Sequence, residues 1–454
     1  MYSRVSMVLN GLAAIYLLVC QKIFSYFLRL FSFSLPSWIQ ATPLISRNLT
    51  GQIVIVTGAN AGIGRVTAEK LAIQGATVIL ACRDDQRGLG AAAEINNTLK
   101  TLPPNEYPYC SKGKAQYMRL DLSDLHSIVD FCSRFRDLYK RLDVLVNNAG
   151  LNTDVLLQNG IQQLFQVNYL GHYLLVRYLL DLMVCTDSGP KAARVINLSS
   201  VTHHQGQANF KLSALRLFSS SMRSQFSYYA DSKFYMNLLT MELNHRFSDH
   251  AKVQTSIDHI IHSTHGVRKW YVNRPTRPLI AVSVNPGAVQ SEIWRSMPLR
   301  SLFLSVSKHV FLSTDQGSNC SVYAATVPES TLRNYMLSHD WSERNVGTLC
   351  MRGDIPYVTP YAMPFPLLAF EMLGTYAGPR FSGISIPKSS VDSRHKGEIA
   401  RVTDRGDKQF NVDFGSPREL ALLLWQFSAE CCHRVLLQSG VTHEEVDFLV
   451  AASI

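Results

Sequence analysis

The 454-residue chain has no Cys-x-x-Cys pair and no Cys/His set at zinc spacing, which excludes the common zinc modules and thioredoxin-type redox chemistry. Its nine cysteines, at 20, 82, 110, 132, 185, 320, 350, 431 and 432, are odd in number and fit a reducing compartment. Cys431-Cys432 reads as packing rather than as a metal or lipid site. The net charge is +10, yet no run of five or more Lys/Arg occurs. The positive charge is therefore a scattered, solvated surface, and nucleic acid is not an expected partner. Internal repeats are also lacking. Three Asn-x-Ser/Thr sequons stand at Asn48, Asn96 and Asn197. They carry little weight, because Asn197 falls in a predicted buried strand.

What is present begins with an apolar N-terminus. Val5 to Cys20 reads VSMVLNGLAAIYLLVC, and an aromatic stretch follows from Ile23 to Trp38. The first run is somewhat short of the ~20 residues that span a bilayer. With Lys22 and Arg29 snorkelling, residues 1–40 are expected to anchor the chain in a membrane. A cleaved signal peptide fits poorly, because no small-x-small site follows. Lys22, Arg29 and Arg47 outnumber Arg4, which favours a catalytic domain on the cytosolic side.

Beyond Pro43 strands and helices alternate. Ile53–Thr57 is a continuous apolar strand of the kind buried on both faces. Thr77–Ala81, Ala115–Leu120, Val144–Val146, Val195–Leu198 and Leu279–Val284 are read as further strands. Helices are expected over Gly62–Gln74, Asp84–Leu99, Ser123–Tyr139, Ile161–Met183, Tyr228–Phe247 and Pro417–Leu437. Strict alternation predicts the α/β class, a doubly wound parallel sheet. Three stretches interrupt it: Ser-rich 206–227, His/Arg/Pro-rich 258–278, and 334–414, which has no defensible period.

The chemistry lies in two places. Thr57-Gly58-Ala59-Asn60-Ala61-Gly62-Ile63-Gly64 joins a predicted strand to a helix, the setting in which glycines hold a dinucleotide pyrophosphate. Tyr229 and Lys233, four residues apart, share one helix face. An ammonium beside a phenol favours phenolate and improves proton transfer near neutral pH. His203-His204 has no third ligand in evident register and is read as a loop pair; no metal is expected.

Seven motifs occur in order: TGANAGIG, Asp121-Leu122, Asn147-Asn148-Ala149-Gly150, the Asn168 helix, Asn197-Leu198-Ser199-Ser200, Tyr229-x-x-x-Lys233 and Asn285-Pro286-Gly287. On these the chain resembles the short-chain dehydrogenase/reductase family, a Rossmann-type fold, over about Asn48 to Ala325. FQVNYLGH at Phe165–His172 and PGAVQSE at Pro286–Glu292 are similar to the retinol dehydrogenase-like branch. The resemblance implies a tetrad of Asn168, Ser200, Tyr229 and Lys233, with register favouring Ser200 over Ser199, which sequence alone leaves open. Tyr229 would exchange the hydroxyl proton, with its ionisation eased by Lys233 and the oxidised cofactor. Ser200 would hold the substrate oxygen. Cofactor contacts are implied at Gly58, Asn60, Gly62, Ile63, Gly64, Arg83, Asp121, Leu122, Asn148, Ala149, Gly150, Tyr229, Lys233, Pro286 and Gly287.

The second strand ends in Cys82-Arg83, where a carboxylate would select NAD. A guanidinium there suits a 2'-phosphate, so NADP(H) is favoured and NAD(H) stays open. Asp84 and Asp85 are expected to start the next helix. The implied activity is interconversion of a lipid alcohol and its aldehyde or ketone, of retinoid, steroid or polyisoprenoid type. The location implied is the endoplasmic reticulum or a lipid droplet, and a homodimer is left open. The rival reading is a cofactor-binding scaffold or sensor, which the intact tetrad opposes. The expected organisation is an anchor at 1–40, a catalytic domain at 48–330, an irregular insertion at 331–415 and a helical segment at 416–454 that completes the domain.

Overall fold

The computed structural model describes residues 47–186, 188–190, 192–200, 202–203, 206, 210–211, 216–217, 225–263, 271, 274–287, 289–291, 293, 312–337, 349–352, 355–358 and 417–451. The expected anchor at 1–40 lies outside them.

Apolar, β-branched runs form the sheet. The strands are β1 (Ile53–Thr57), β2 (Thr77–Cys82), β3 (Lys114–Arg119), β4 (Val144–Asn147), β5 (Ala193–Leu198) and, after a two-residue hairpin of β6 (Phe210–Lys211) and β7 (Arg216–Leu217), β8 (Leu279–Val284). Six parallel strands run in the order β3-β2-β1-β4-β5-β8. The order reverses between β1 and β4, which opens a crevice at the carboxyl ends of the strands. Two further strands extend the sheet beyond β8: β10 (Ile355–Val358), parallel to it, and β9 (Leu349–Arg352), antiparallel to β10. They lie inside the stretch read above as irregular. To that extent the expectation is corrected: strands this short have no local period, and β10 is specified by pairing with β8 and β9 by pairing with β10.

Successive strand residues face opposite sides, and the core is accordingly double. Ile55, Ile79, Leu145 and Val195 pack towards α3 (Leu125–Leu138), α4 (Gly171–Val184) and α5 (Gln225–Phe247). Val54, Val56, Val78, Leu80 and Ile196 pack towards α1 (Gly62–Ile73) and α2 (Asp85–Thr101). Asp84 caps α2 by accepting from the Arg87 N–H at 2.9 Å, and Asp124 caps α3. Asparagines cover strand groups that have no strand partner. Asn96 bonds both backbone groups of Ala115 in the edge strand β3, and Asn244 both of Ala281 in β8, ahead of the Ser283–Val284 stretch that pairs with β10, which removes free pairing sites. The Asn96 sequon thus has its amide engaged, and Asn197 is fully buried.

The helix expected over Ile161–Met183 is interrupted. A turn at Gln163–Phe165 leads into a π-helical turn, Gln166–Leu170, before α4 begins. A further correction concerns α6 (His250–Ser263), which occupies part of the stretch read as an interruption. Next come α7 (Thr314–Thr326), opened by a Ser313/Gln316 capping box, and α8 (Glu329–Leu337).

The chain closes with α9 (Pro417–Gln438) and α10 (His443–Ala451). Among the described residues only Leu420–Gln438 is long and apolar enough to cross a membrane. Leu424, Trp425, Phe427 and Leu436 of that segment are nevertheless buried in the core beside α5. Buried Arg177 ties this hairpin to α4. Its guanidinium donates to Tyr173 Oη at 2.6 Å and to the Phe448 carbonyl at 2.9 Å, and lies 5.0 Å from the Trp425 ring centroid.

Candidate active site

The crevice is lined first by the turn after β1. Gly58 and Gly62 adopt φ of +64° and +59°, the left-handed region that glycine enters without steric cost. A Cβ on Gly58 would lie 3.0 Å from the Ala149 Cα; one on Gly64 would collide with the Asn148 side-chain amide. At Gly62 the nearest atom to such a Cβ is Ser291 Cβ at 3.8 Å, so the turn leaves open space in front of α1. Ala61, the N-cap of α1, offers no side-chain cap, and the first-turn N–H groups remain available to an anion. This is a cradle that fits a pyrophosphate. Asn60 and Ile63 lie half-buried beside it.

Thr57 locks this turn to the next. Its hydroxyl oxygen accepts from the Asn148 and Ala149 N–H groups, both at 2.9 Å, and its carbonyl accepts from Asn148 Nδ2 at 2.7 Å. With both lone pairs of Oγ1 occupied, the hydroxyl proton is free to go to His172 Nε2, 2.9 Å away. His172 Nδ1–H then donates to the Asn168 carbonyl at 3.2 Å. One neutral tautomer satisfies all of these bonds. Burial holds the imidazole down at about 3, with the Asn168 carbonyl opposing and Lys233 adding to the effect. Sequence reasoning quoted His172 only as part of a motif; its position one helical turn after Asn168 was the available signal.

At the end of β2, Cys82 is buried and Arg83 is exposed. Asp84 and Asp85 begin α2, as expected from the sequence. Asp85 is engaged by the Tyr117 hydroxyl and by Arg119 at 3.2 Å, leaving Arg83 facing solvent at the strand end. Asp121 Oδ1 accepts from Ser123 N–H and Oγ–H, and Leu122 is buried. Pro286 is buried, and Gly287, at φ +79°, donates its N–H to Asn285 Oδ1 at 3.0 Å.

The proposed tetrad residues do meet. Lys233 Nζ lies 5.6 Å from the Tyr229 ring centroid and donates to the Leu198 carbonyl at 2.9 Å. A Cβ on Gly150 would stand 3.4 Å from Asn168 Oδ1 and 3.5 Å from Lys233 Nζ, so these three residues share one point. The Asn168 amide accepts from Leu151 N–H, and its Nδ2 donates to the Leu151 carbonyl and to Ser232 Oγ at 3.0 Å. The π-helical turn, an irregularity frequent at functional sites, thereby holds the Gly150-Leu151 strand exit against α5. The Tyr169 and Ser428 hydroxyls bond at 2.9 Å, so α9 is packed directly onto that turn.

The two serines behave differently. Buried Ser199 donates its hydroxyl to the Lys233 carbonyl at 3.0 Å, whereas the half-buried Ser200 hydroxyl accepts from the Thr202 N–H at 3.3 Å and eases ionisation of the neighbouring Tyr229 phenol. His203 braces this loop through the Ser200 carbonyl, 2.5 Å from its Nδ1; His204 lies outside the described residues.

Charge settles differently from the sequence expectation. Burial pushes the Tyr229 phenol up to about 12, with the Ser200 hydroxyl pulling the other way, and it lowers Lys233 to about 8. The protein's own groups therefore keep Tyr229 neutral at pH 7, so Lys233 by itself does not supply the depression expected from Lys233 together with the oxidised cofactor. Desolvation outweighs a charge that sits over the ring rather than beside the hydroxyl.

Comparison with known proteins follows the same lines. Residues 52–214 match the short chain dehydrogenase family model. Retinol dehydrogenase 12 of Mus musculus is 34% identical over 285 residues, which cover 61% of this chain and 74% of that protein. Retinol dehydrogenase 11 of Homo sapiens is 32% identical over 282 residues, covering 61% and 73%. A solved oxidoreductase from E. coli aligns at 21% identity over 64% of this chain and 94% of its own, with a TM-score of 0.41.

Proposed function

The chain belongs to the short-chain dehydrogenase/reductase family and is an NAD(P)-dependent oxidoreductase, and from that premise we propose that it interconverts a lipid carbonyl and its alcohol with a preference for NADP(H). The retinol dehydrogenase relatives support a lipid alcohol of retinoid, steroid or polyisoprenoid type. Within that branch we place it beside the X-linked dehydrogenase/reductase member, on Thr314-Asp315-Gln316-Gly317, Val322-Tyr323-Ala324-Ala325 and Leu424-Trp425-Gln426.

The observation that carries the reading is the cluster of Tyr229, Lys233 and Asn168, with Lys233 Nζ 5.6 Å from the Tyr229 ring centroid and the Ser200 hydroxyl acting on the same phenol: a substrate oxygen placed there can meet both hydroxyls. The glycine turn and the α1 N-terminus would hold the pyrophosphate, and exposed Arg83 the 2'-phosphate. When bound, the nicotinamide supplies or accepts the hydride. Tyr229, neutral at pH 7, gives its proton to the carbonyl oxygen in the reducing direction. Ser200 donates to the same oxygen and stabilises the charge that develops there. Lys233, ammonium below about pH 8, stabilises the tyrosinate left behind. In oxidation the proton runs back along the same path.

Residues 1–40 are proposed to deliver the site to a membrane, where such substrates dissolve. The test is turnover of lipid aldehydes in membrane vesicles with NADPH and with NADH. The reading expects NADPH to be preferred at least tenfold and Arg83→Gln to erase most of that preference. Equal use of both cofactors, or indifference to Arg83→Gln, would remove the cofactor assignment. Failure of every lipid aldehyde, with NADPH still bound, would favour a scaffold instead.

A further inference from the structure

The C-terminal hairpin holds a cluster of donor atoms that the redox site does not use. Gly440, at φ +95°, turns the chain between α9 and α10, and Val441 N–H closes the turn on the Leu436 carbonyl at 3.0 Å. The reversal brings His433, near the end of α9, against His443 and Asp447, which lie four residues apart on one face of α10. His433 Nε2 is 2.9 Å and His443 Nδ1 3.3 Å from Asp447 Oδ1, and the three ligand atoms lie within 4.8 Å of one another.

We propose that His433, His443 and Asp447 form a site for a zinc-class divalent cation that clamps α10 to α9. Two ligands on a tetrahedral metal with bonds near ~2.0–2.1 Å stand roughly 3.3 Å apart. The two contacts to Asp447 are already close to that spacing, so only the His–His separation has to adjust. His443 and Asp447 are exposed and free to do so, while His433 is half-buried and supplies the fixed corner. Two imidazoles with one carboxylate favour zinc, cobalt or nickel over calcium and magnesium, which require more oxygen ligands. Three protein ligands leave a position for water.

The clamp has a structural consequence. Asp447 precedes Phe448, whose carbonyl accepts from buried Arg177 and whose ring meets Tyr178 edge-on at 5.0 Å. Metal at the hairpin tip would therefore steady the last helix against α4. Linear spacing hid this site, because the ten-residue gap between the two histidines is closed only by the helical hairpin. The inference is independent of the redox reading.

Detergent-solubilised, metal-free full-length chain titrated with Co2+ and with Zn2+ tests it. The expected result is one equivalent showing tetrahedral Co2+ absorption, and a melting temperature raised by about 2–4 °C in excess Zn2+. His443→Ala and Asp447→Asn, both at exposed positions, should melt like wild type without metal and should lose that equivalent and the shift; Ca2+ and Mg2+ should do nothing. Binding at other histidines or cysteines persists in the variants and cancels in the difference. Equal stoichiometry and equal melting shifts in wild type and both variants would overturn the proposal.

Discussion

The Thr57 hydroxyl and His172 Nε2 lie 2.9 Å apart in the buried core, joining the glycine turn to the helix that carries Asn168. Because Thr57 Oγ1 already accepts two backbone N–H groups, the bond works only with neutral His172. The imidazole is held at about 3 when folded, against an ordinary 6.5. Between those values the unfolded chain binds the extra proton, so stability rises with pH through this window and is lost as pH falls below 6.5. At pH 5 the loss is about 2 kcal/mol relative to neutral pH. His172→Gln, which keeps an acceptor and a donor but cannot titrate, is expected to flatten this slope. Denaturant melts of both proteins from pH 4 to 7 check it; parallel curves would contradict the assignment.

Ser199 and Ser200 are adjacent, but their hydroxyls serve different partners. Ser199→Ala removes the bond to the Lys233 carbonyl and should cost about 1 kcal/mol of stability with kcat reduced less than tenfold. Ser200→Ala should leave the melting temperature within ~1 °C and lower kcat by about 100-fold, the scale of a lost oxyanion donor. Steady-state kinetics and thermal melts on the pair separate the two roles, and the reverse pattern would move the substrate oxygen to Ser199.

Lys233 is a buried cation whose neighbours among the described residues, Leu198, Tyr229, Gly150 and Asn168, bring no carboxylate. Its value near 8, lowered by burial from an ordinary 10.5, means that folding works against its charge below pH 8. That penalty fades as pH rises from 8 towards 10.5, where the folded chain holds fewer protons than the unfolded one. Lys233→Met should therefore raise stability at pH 7 by on the order of 1–2 kcal/mol while reducing turnover at least 100-fold. Chemical denaturation at pH 7 and at pH 10 should show the gain shrinking at the higher pH.

Much of the parallel sheet was legible because both of its faces are covered. Ile53–Thr57 and Leu279–Val284 are unbroken apolar runs, and their boundaries match. Helix α6 was hidden by its many polar residues, although Val253, Ile257 and Ile260 recur at helical spacing and are buried. Strand β10 could not be read locally, since its pairing with β8 depends on residues some seventy positions away, and β9 is held in the sheet only through β10. Among the site residues, the one-turn spacing of Tyr229 and Lys233 was visible. The partner of each serine hydroxyl was not, because the Lys233 carbonyl lies 34 residues from Ser199. Nor was the direction of the Tyr229 shift, which depends on how deeply the fold buries the phenol.

The most direct test of the account is Tyr229→Phe, which removes only the phenolic oxygen and leaves the glycine turn untouched. Measured together on membrane-reconstituted protein, the dissociation constant for NADPH should change less than threefold, while NADPH-dependent reduction of a lipid aldehyde should fall at least 1,000-fold. Unchanged turnover in that variant would contradict proton transfer by Tyr229.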